Sequence, residues 1–457
     1  MFLHKLSEIL PSEQIFIGDN IDAKYLSDFF GREKGAAIAL VFPKTTEQVS
    51  TVVRLADAYR VPVIPRGAGT NLAGSTFPEA VHNAIIIDLS LMNQILALNP
   101  ETFTVTVQPG VLLCDLQEYV ESHGLFYPPD PGEKHASIGG NISTNAGGMR
   151  AVKYGVTRDY VRELEVVLPN GEIVCLGAAT VKDASGLSLK NLIIGAEGTL
   201  GIVTKATLRL IAKPEFSVDV LVSFSSLRTA LESVPEILKT GVIPTAIEFI
   251  AGSVVQMGER FTSLQFPAPK ATAYLLLTFD GPKPQIADDL RRVENHLREL
   301  KALDFLTLDK SGSVTVWKIR GCLVKAVEAQ CAQEPLDLVV PIDKTADLIE
   351  SVQQLTAETG VVTVAFGHAG DGNVHLCVLR EQRNDEEWQA DLTNFLTHLY
   401  RKAADLGGLV SAEHGIGIAK KRYYLALTDP AIVTLQRQIK AAIDPKGIFN
   451  PGKSYSI

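Results

Sequence analysis

The apolar positions change period several times along the chain, and the changes divide it. Residues 37–42, Ala-Ile-Ala-Leu-Val-Phe, form a short continuous apolar run that reads as a strand. From 46 to 59 the residues Val49, Val52, Val53 and Leu55 recur at helical spacing, and 61–65 returns to a strand. The opening is therefore β-α-β, preceded by a short helix with Phe2, Leu6, Ile9 and Leu10 on one face. Segments 84–89, 104–108 and 164–168 extend the strand pattern, and alternating Val203, Ala206, Leu208 and Leu210 close it.

A new rhythm begins after Lys213-Pro214. Strands are expected at 218–224, 245–250 and 273–279, alternating with helices at 226–238, 254–261 and 285–303. Two further strands, 361–366 and 374–379, flank a Gly-Asp-Gly turn. The expected fold class is α+β: a helical segment 1–36, a first domain 37–213, and a second domain 214–457. The second is ferredoxin-like, with a C-terminal helical segment.

Composition narrows the function classes. The chain of 457 residues carries a formal charge of -9, which argues against nucleic acid as its main partner. No apolar run approaches the ~20 residues of a membrane span, and the first ten residues do not read as a signal peptide. A cytoplasmic protein is expected, at most peripheral to the inner face of the membrane. Cys114, Cys175, Cys322, Cys331 and Cys377 lie without CxxC spacing, as reduced thiols do. No ferredoxin or haem motif is present.

Three glycine-rich loops carry candidate chemistry. The first is Pro65-Arg66-Gly67-Ala68-Gly69-Thr70-Asn71-Leu72-Ala73-Gly74-Ser75. Leu72 breaks the dinucleotide GxGxxG fingerprint, and Ser75 stands where a P-loop needs lysine. The second follows Pro129-Asp130 and runs Ile138-Gly139-Gly140-Asn141-Ile142-Ser143-Thr144-Asn145-Ala146-Gly147-Gly148; the third includes Glu197-Gly198 and Ile202-Val203. Each alone is an ordinary turn. Together, with small polar residues interleaved, they imply a long ligand held by backbone amides.

The second constellation is His368-Ala369-Gly370-Asp371-Gly372-Asn373-Val374-His375, with Glu413-His414 downstream. His368 and His375 at facing strand ends, with Glu413 as third ligand, suit zinc, iron or manganese and leave coordination positions open. Without such an ion each histidine reads as a packed or hydrogen-bonded core residue. His414 then remains as a base, because neighbouring side chains on an extended chain point in opposite directions.

These loops resemble those of the vanillyl-alcohol-oxidase/p-cresol-methylhydroxylase flavoproteins, from about Ala37 to Lys453, and most closely their D-2-hydroxyacid dehydrogenase branch. The resemblance implies a two-subdomain FAD-binding domain of the p-cresol-methylhydroxylase type. Its first loop would cradle the FAD pyrophosphate, and Pro129, Asp130, 138–148, Tyr154, Glu197, Gly198, Ile202 and Val203 would line flavin and adenosine. Thr70-Asn71 offers no histidine for covalent attachment, so dissociable FAD is expected. Gly132-Glu133 departs from the serines common in relatives. Asn450, in Asn450-Pro451-Gly452-Lys453, matches the C-terminal signature that approaches the flavin. Arg320 matches the arginine of a Trp-x-x-Arg motif and would grip a substrate carboxylate.

The implied reaction is FAD- and metal-dependent oxidation of a small D-2-hydroxy acid, with hydride to flavin N5 and the proton to His414. Val324 and Pro335 supply no partner for a second carboxylate, which favours D-lactate or glycolate over D-2-hydroxyglutarate. The resemblance also implies a partner that accepts electrons (a quinone, an electron-transferring flavoprotein or an iron–sulfur subunit) and is compatible with a homodimer. Two alternatives stay open: a flavin enzyme acting on a sugar, phenol or alkyl ether, and a non-catalytic electron-transfer subunit.

Overall fold

The computed structural model describes residues 1–31, 34–79 and 83–456. The chain divides into two compact units, and they are not consecutive. One comprises Met1–Ala146, Val156–Lys213 and Glu413–Ile457; the other comprises Gly147–Gly155 and Pro214–Ala412.

The first unit is built on two sheets. One has the order Ile15–Ile17, Ala37–Val41, Ala84–Asp88, Val63–Arg66, and its last three strands are parallel. Parallel neighbours need a crossover, and helix Thr46–Tyr59 provides one. Thr45 caps that helix by accepting from Gln48 N, and Val49, Val52, Val53 and Ala56 form its buried stripe. These side chains join Leu6, Val41, Ile85, Ile87 and Phe449 in one apolar cluster, each fully buried Val, Leu, Ile or Phe contributing about 1.5–3 kcal/mol. The other sheet is antiparallel, in the order Ile95–Asn99, Thr104–Val107, Ile202–Arg209, Val161–Val167, Ile173–Gly177.

Segment 413–457 clusters with this unit, not with the body of the second domain where sequence order put it. Polar bonds hold it there. Val63 N–H donates to Ile448 O at 2.7 Å and Asn450 N–H to Val63 O at 2.8 Å. Buried Lys440 donates to Thr199 O, Phe449 O and Asp444, so the ammonium is fully engaged. Burial lowers the Lys440 pKa, opposed by Asp444.

The second unit is organised by a seven-stranded antiparallel sheet, with helices that complete the expected α+β character. Its order is Asp304–Thr307, Phe216–Phe224, Ala273–Gly281, Ala246–Ala251, Thr363–His368, Asn373–Leu379, Gln333–Val339. Gln333–Val339 carries Pro335, and it lies at the sheet edge, where proline's missing N–H is tolerated. The helix expected at 285–303 runs Lys283–Glu299; Lys301 takes a left-handed conformation (φ 66°) and turns the chain into Asp304–Thr307. No helix among the described residues is long and apolar enough to cross a membrane. All five cysteines are free, and burial pushes the Cys377 thiol up to about 12.

Candidate functional site

In the first unit the three glycine loops are tied together by short polar bonds. Ser137 Oγ accepts from Ala68 N and Gly140 N, both at 3.3 Å, linking the first loop to the second. Gly67 makes this approach possible, since a Cβ there would stand 2.1 Å from Ser137 Oγ. Glu197 N–H donates to Ser143 O at 2.8 Å, linking the second loop to the third. The amides of Ile138 and Gly139 are used internally, by Val111 O and Pro109 O at 2.8 Å each.

Two of the expected FAD residues keep buried polar atoms without a hydrogen-bond partner among the described residues: Asn141 Nδ2 and Asn450 Oδ1. Such an orphan costs about 1–3 kcal/mol unless something satisfies it. A polar cofactor fits that need. Asn450 is otherwise anchored, its Nδ2 donating to Ser75 O at 2.9 Å and Glu197 O at 2.7 Å.

The Glu197 side chain is engaged within the protein. Its buried carboxylate accepts from Ile416 N (2.9 Å), Gly417 N (2.8 Å), Ser454 Oγ (2.5 Å) and Ser75 Oγ. It thereby joins the first loop, the C-terminal tail and the segment just after Glu413-His414. Asp130, likewise expected at FAD, bonds Gln117 Nε2 at 3.0 Å and Lys134. Arg66 lies 3.7 Å from Asp88 Oδ2, and burial lowers its pKa against the pull of Asp88. Gly147, Gly148 and Tyr154 cluster with the second unit, where Tyr154 Oη donates to the two oxygens of Asp280 at 2.9 and 3.0 Å.

In the second unit the register of the sheet assembles a polar group on one face. Glu248 pairs with His368, and His368 with Asn373; Ile250 pairs with Phe366, Phe366 with His375, and His375 with Asp337. Paired residues share a face, and positions two apart along a strand return to it. The histidines are therefore diagonal neighbours, with His375 two residues inside its strand instead of at the expected strand end. Gly372 (φ 79°) makes the tight turn between them, where a Cβ would meet Val340 O at 2.0 Å.

The two Nε2 atoms face each other at 3.2 Å. Two imidazole nitrogens on one tetrahedral zinc, each at about 2.0–2.1 Å, would stand roughly 3.3–3.4 Å apart. The donor pair thus fits a divalent ion. On the far side of the ring, His368 Nδ1 lies 2.6 Å from Glu248 Oε1. Glu248 Oε2 accepts from Arg320 Nε at 2.9 Å, with Nη2 at 2.7 Å but off the line of a hydrogen bond. Arg320 also stacks over Phe366, 5.0 Å from the ring centroid. Helix Lys310–Gly321, capped by Asp309, carries Arg320, and Trp317 Nε1 donates to Asp219 Oδ2 at 3.0 Å to fix it.

Sequence reading missed Glu248 and Asp337. Both are fully buried; Glu248 is the single acid of an apolar strand, which was an available signal, whereas Asp337 shares its strand with Glu334 and Pro335 and carried none as clear. Asp337 accepts from Asn373 Nδ2 (2.9 Å), Ser411 Oγ (2.9 Å) and Ala412 N (3.1 Å). The expected divergence of Glu413 and His414 does not hold. The chain bends at 412–414 instead of extending, and His414 Nε2 comes within 3.8 Å of Glu413 Oε1.

Comparison with known proteins adds the family context. Residues 37–177 match the FAD binding domain model, and residues 213–454 match that of the FAD linked oxidases, C-terminal domain. A D-lactate dehydrogenase of Anaerostipes hadrus is 39% identical, covering 99% of this chain and 96% of its own. The glycolate oxidase subunit GlcD of Bacillus subtilis is 36% identical, covering 92% and 89%. Among solved structures, p-cresol methylhydroxylase superposes with a TM-score of 0.81 at 19% identity, over 100% of this chain and 96% of that one. That likeness concerns the fold.

The Glu197 cluster gives a stability prediction. Glu197→Gln places an amide N–H₂ among four donors; a serine hydroxyl can turn to accept from it, but the backbone N–H facing it (Ile416 or Gly417) loses its acceptor, at about 1–3 kcal/mol. The urea midpoint should fall correspondingly, and FAD retention after gel filtration should fall with it. An unchanged midpoint would show that these donors do not depend on the carboxylate.

Proposed function

Because the chain belongs to the FAD-linked oxidases and is an FAD-dependent oxidoreductase, we propose that it oxidises a D-2-hydroxy acid to the 2-oxo acid. D-lactate or glycolate is the favoured substrate, in line with the names of its relatives. The observation that carries the metal-dependent form of this reading is the 3.2 Å approach of the His368 and His375 Nε2 atoms, backed by Glu248 and Arg320.

Glu413 is proposed as the third ligand. It directly follows Ala412, whose N–H is held by Asp337. When bound, a zinc, iron or manganese ion would supply Lewis acidity toward the substrate hydroxyl. That hydroxyl is too weakly acidic for an imidazole alone, and His414 would act as the base once its acidity is raised. Arg320 would receive the carboxylate through the part of its guanidinium not turned to Glu248. A hydride must also leave the α-carbon, and bound FAD supplies its acceptor. The loops 65–75, 138–148 and 197–203 with Asn450 are the proposed FAD contacts. Reoxidation is assigned to a separate electron-accepting partner.

Two outcomes test this reading. His375→Ala should abolish anaerobic flavin bleaching by D-lactate and cut bound metal, while FAD content stays at the wild-type level; near-normal bleaching would remove the metal from the reaction. Across substrates, D-lactate or glycolate should reduce the flavin faster than D-2-hydroxyglutarate, since Val324 and Pro335 offer no second carboxylate partner. Stopped-flow rates in the reverse order would assign the chain to dicarboxylates.

A further inference from the structure

We propose that Glu248 is a positioning residue that sets the proton of His368 and the orientation of Arg320 together, coupling metal binding to substrate grip. This rests on the function proposed above and assigns Glu248 a role that the reading leaves unspecified.

Glu248 is fully buried on strand Ala246–Ala251, and its two oxygens serve different partners: Oε1 faces His368 Nδ1 at 2.6 Å, and Oε2 faces Arg320 Nε at 2.9 Å. An ionised carboxylate only accepts hydrogen bonds. The proton of a neutral His368 therefore belongs on Nδ1, which leaves the lone pair on Nε2, the atom facing His375 Nε2. The guanidinium at 2.7 Å balances the charge, so the anion is not left unpaired in the interior. Arg320 is in turn held by the same anion and by the Phe366 ring. One buried acid thus prepares a ligand lone pair and fixes a cation.

Glutamine in the same place cannot do both. If its carbonyl oxygen faces His368, its N–H₂ confronts Arg320, and the cation loses its anchor. If its N–H₂ faces His368, Nδ1 must accept, and the proton moves to Nε2, where no lone pair then remains. Lysine at 320 makes a different change: it keeps a positive charge beside Glu248 but loses the planar fork. The two substitutions therefore separate the two roles.

The test uses the FAD-loaded full chain, stripped of metal and titrated with Zn²⁺ against a chromophoric chelator, with FAD content and unfolding midpoint measured on the same samples. Glu248→Gln should bind Zn²⁺ about 10–100-fold more weakly than wild type while keeping its FAD. Arg320→Lys should bind Zn²⁺ within about threefold of wild type but show a KM for D-lactate raised about tenfold or more. Equal loss of Zn²⁺ affinity in both variants would reduce Glu248 to a structural ion pair and overturn the inference. So would a Glu248→Gln variant with both wild-type Zn²⁺ affinity and a wild-type KM for D-lactate, because glutamine must give up one of the two partners. A wild-type chain that does not bind Zn²⁺ would overturn the metal reading and this inference with it.

Discussion

Side chains on a strand alternate between faces, so the pairing register of a sheet decides which residues can meet. In the seven-stranded sheet, register sets Glu248 beside His368 and His375 beside Asp337, with Phe366 in the row that also holds His375. A slip of one residue in any of the four strands would send its polar side chain to the opposite face. The two inner strands are pinned by the turn at Gly372, whose left-handed backbone passes where a Cβ would strike Val340 O. The proposed chemistry inherits its geometry from this register, and the buried acids make sense only in it. Glu248 meets a ring nitrogen and a guanidinium, and Asp337 meets an amide, a hydroxyl and a backbone N–H.

The first unit solves a different problem, the joining of the three glycine-rich loops proposed to contact FAD. Backbone amides alone would leave such loops loose. Here Ser137 and Glu197 cross-link them, and the C-terminal segment returns to complete the arrangement through Asn450 and Ser454. Glu197 also holds Ile416 and Gly417, so the segment bearing Glu413 and His414 is fastened to the same carboxylate that fastens the first loop. The first loop and the Glu413–His414 segment thus share one anchor.

What the sequence revealed follows the range of its signals. The Gly-Asp-Gly turn brings two histidines together over seven residues, so their meeting was readable from spacing alone. Period changes likewise marked more than half of the strands and helices such as 46–59 and 226–238 to within a few residues, but helices Thr345–Thr359, Asp385–Asp405 and Pro430–Ile443 went unread. Glu248 and His368 are 120 positions apart, and no local pattern connects them. The edge strand Gln333–Val339 went unread, and Pro335 inside it weakens any strand pattern there. The opposed directions assumed for Glu413 and His414 required an extended chain, and the bend at 412–414 removed that premise. The grouping of 413–457 with the first unit depends on bonds from Lys440, Asn450 and Ser454, which spacing does not reveal.

The central claim, that an FAD-loaded chain oxidises a D-2-hydroxy acid with help from an ion at the paired histidines, comes down to one anaerobic titration. Metal-stripped and Zn²⁺- or Mn²⁺-reconstituted protein would be mixed with D-lactate and, separately, L-lactate while the oxidised-flavin absorbance is followed. The account predicts bleaching by D-lactate only, and only in the reconstituted protein. Equal bleaching with and without metal, or preference for L-lactate, would contradict it.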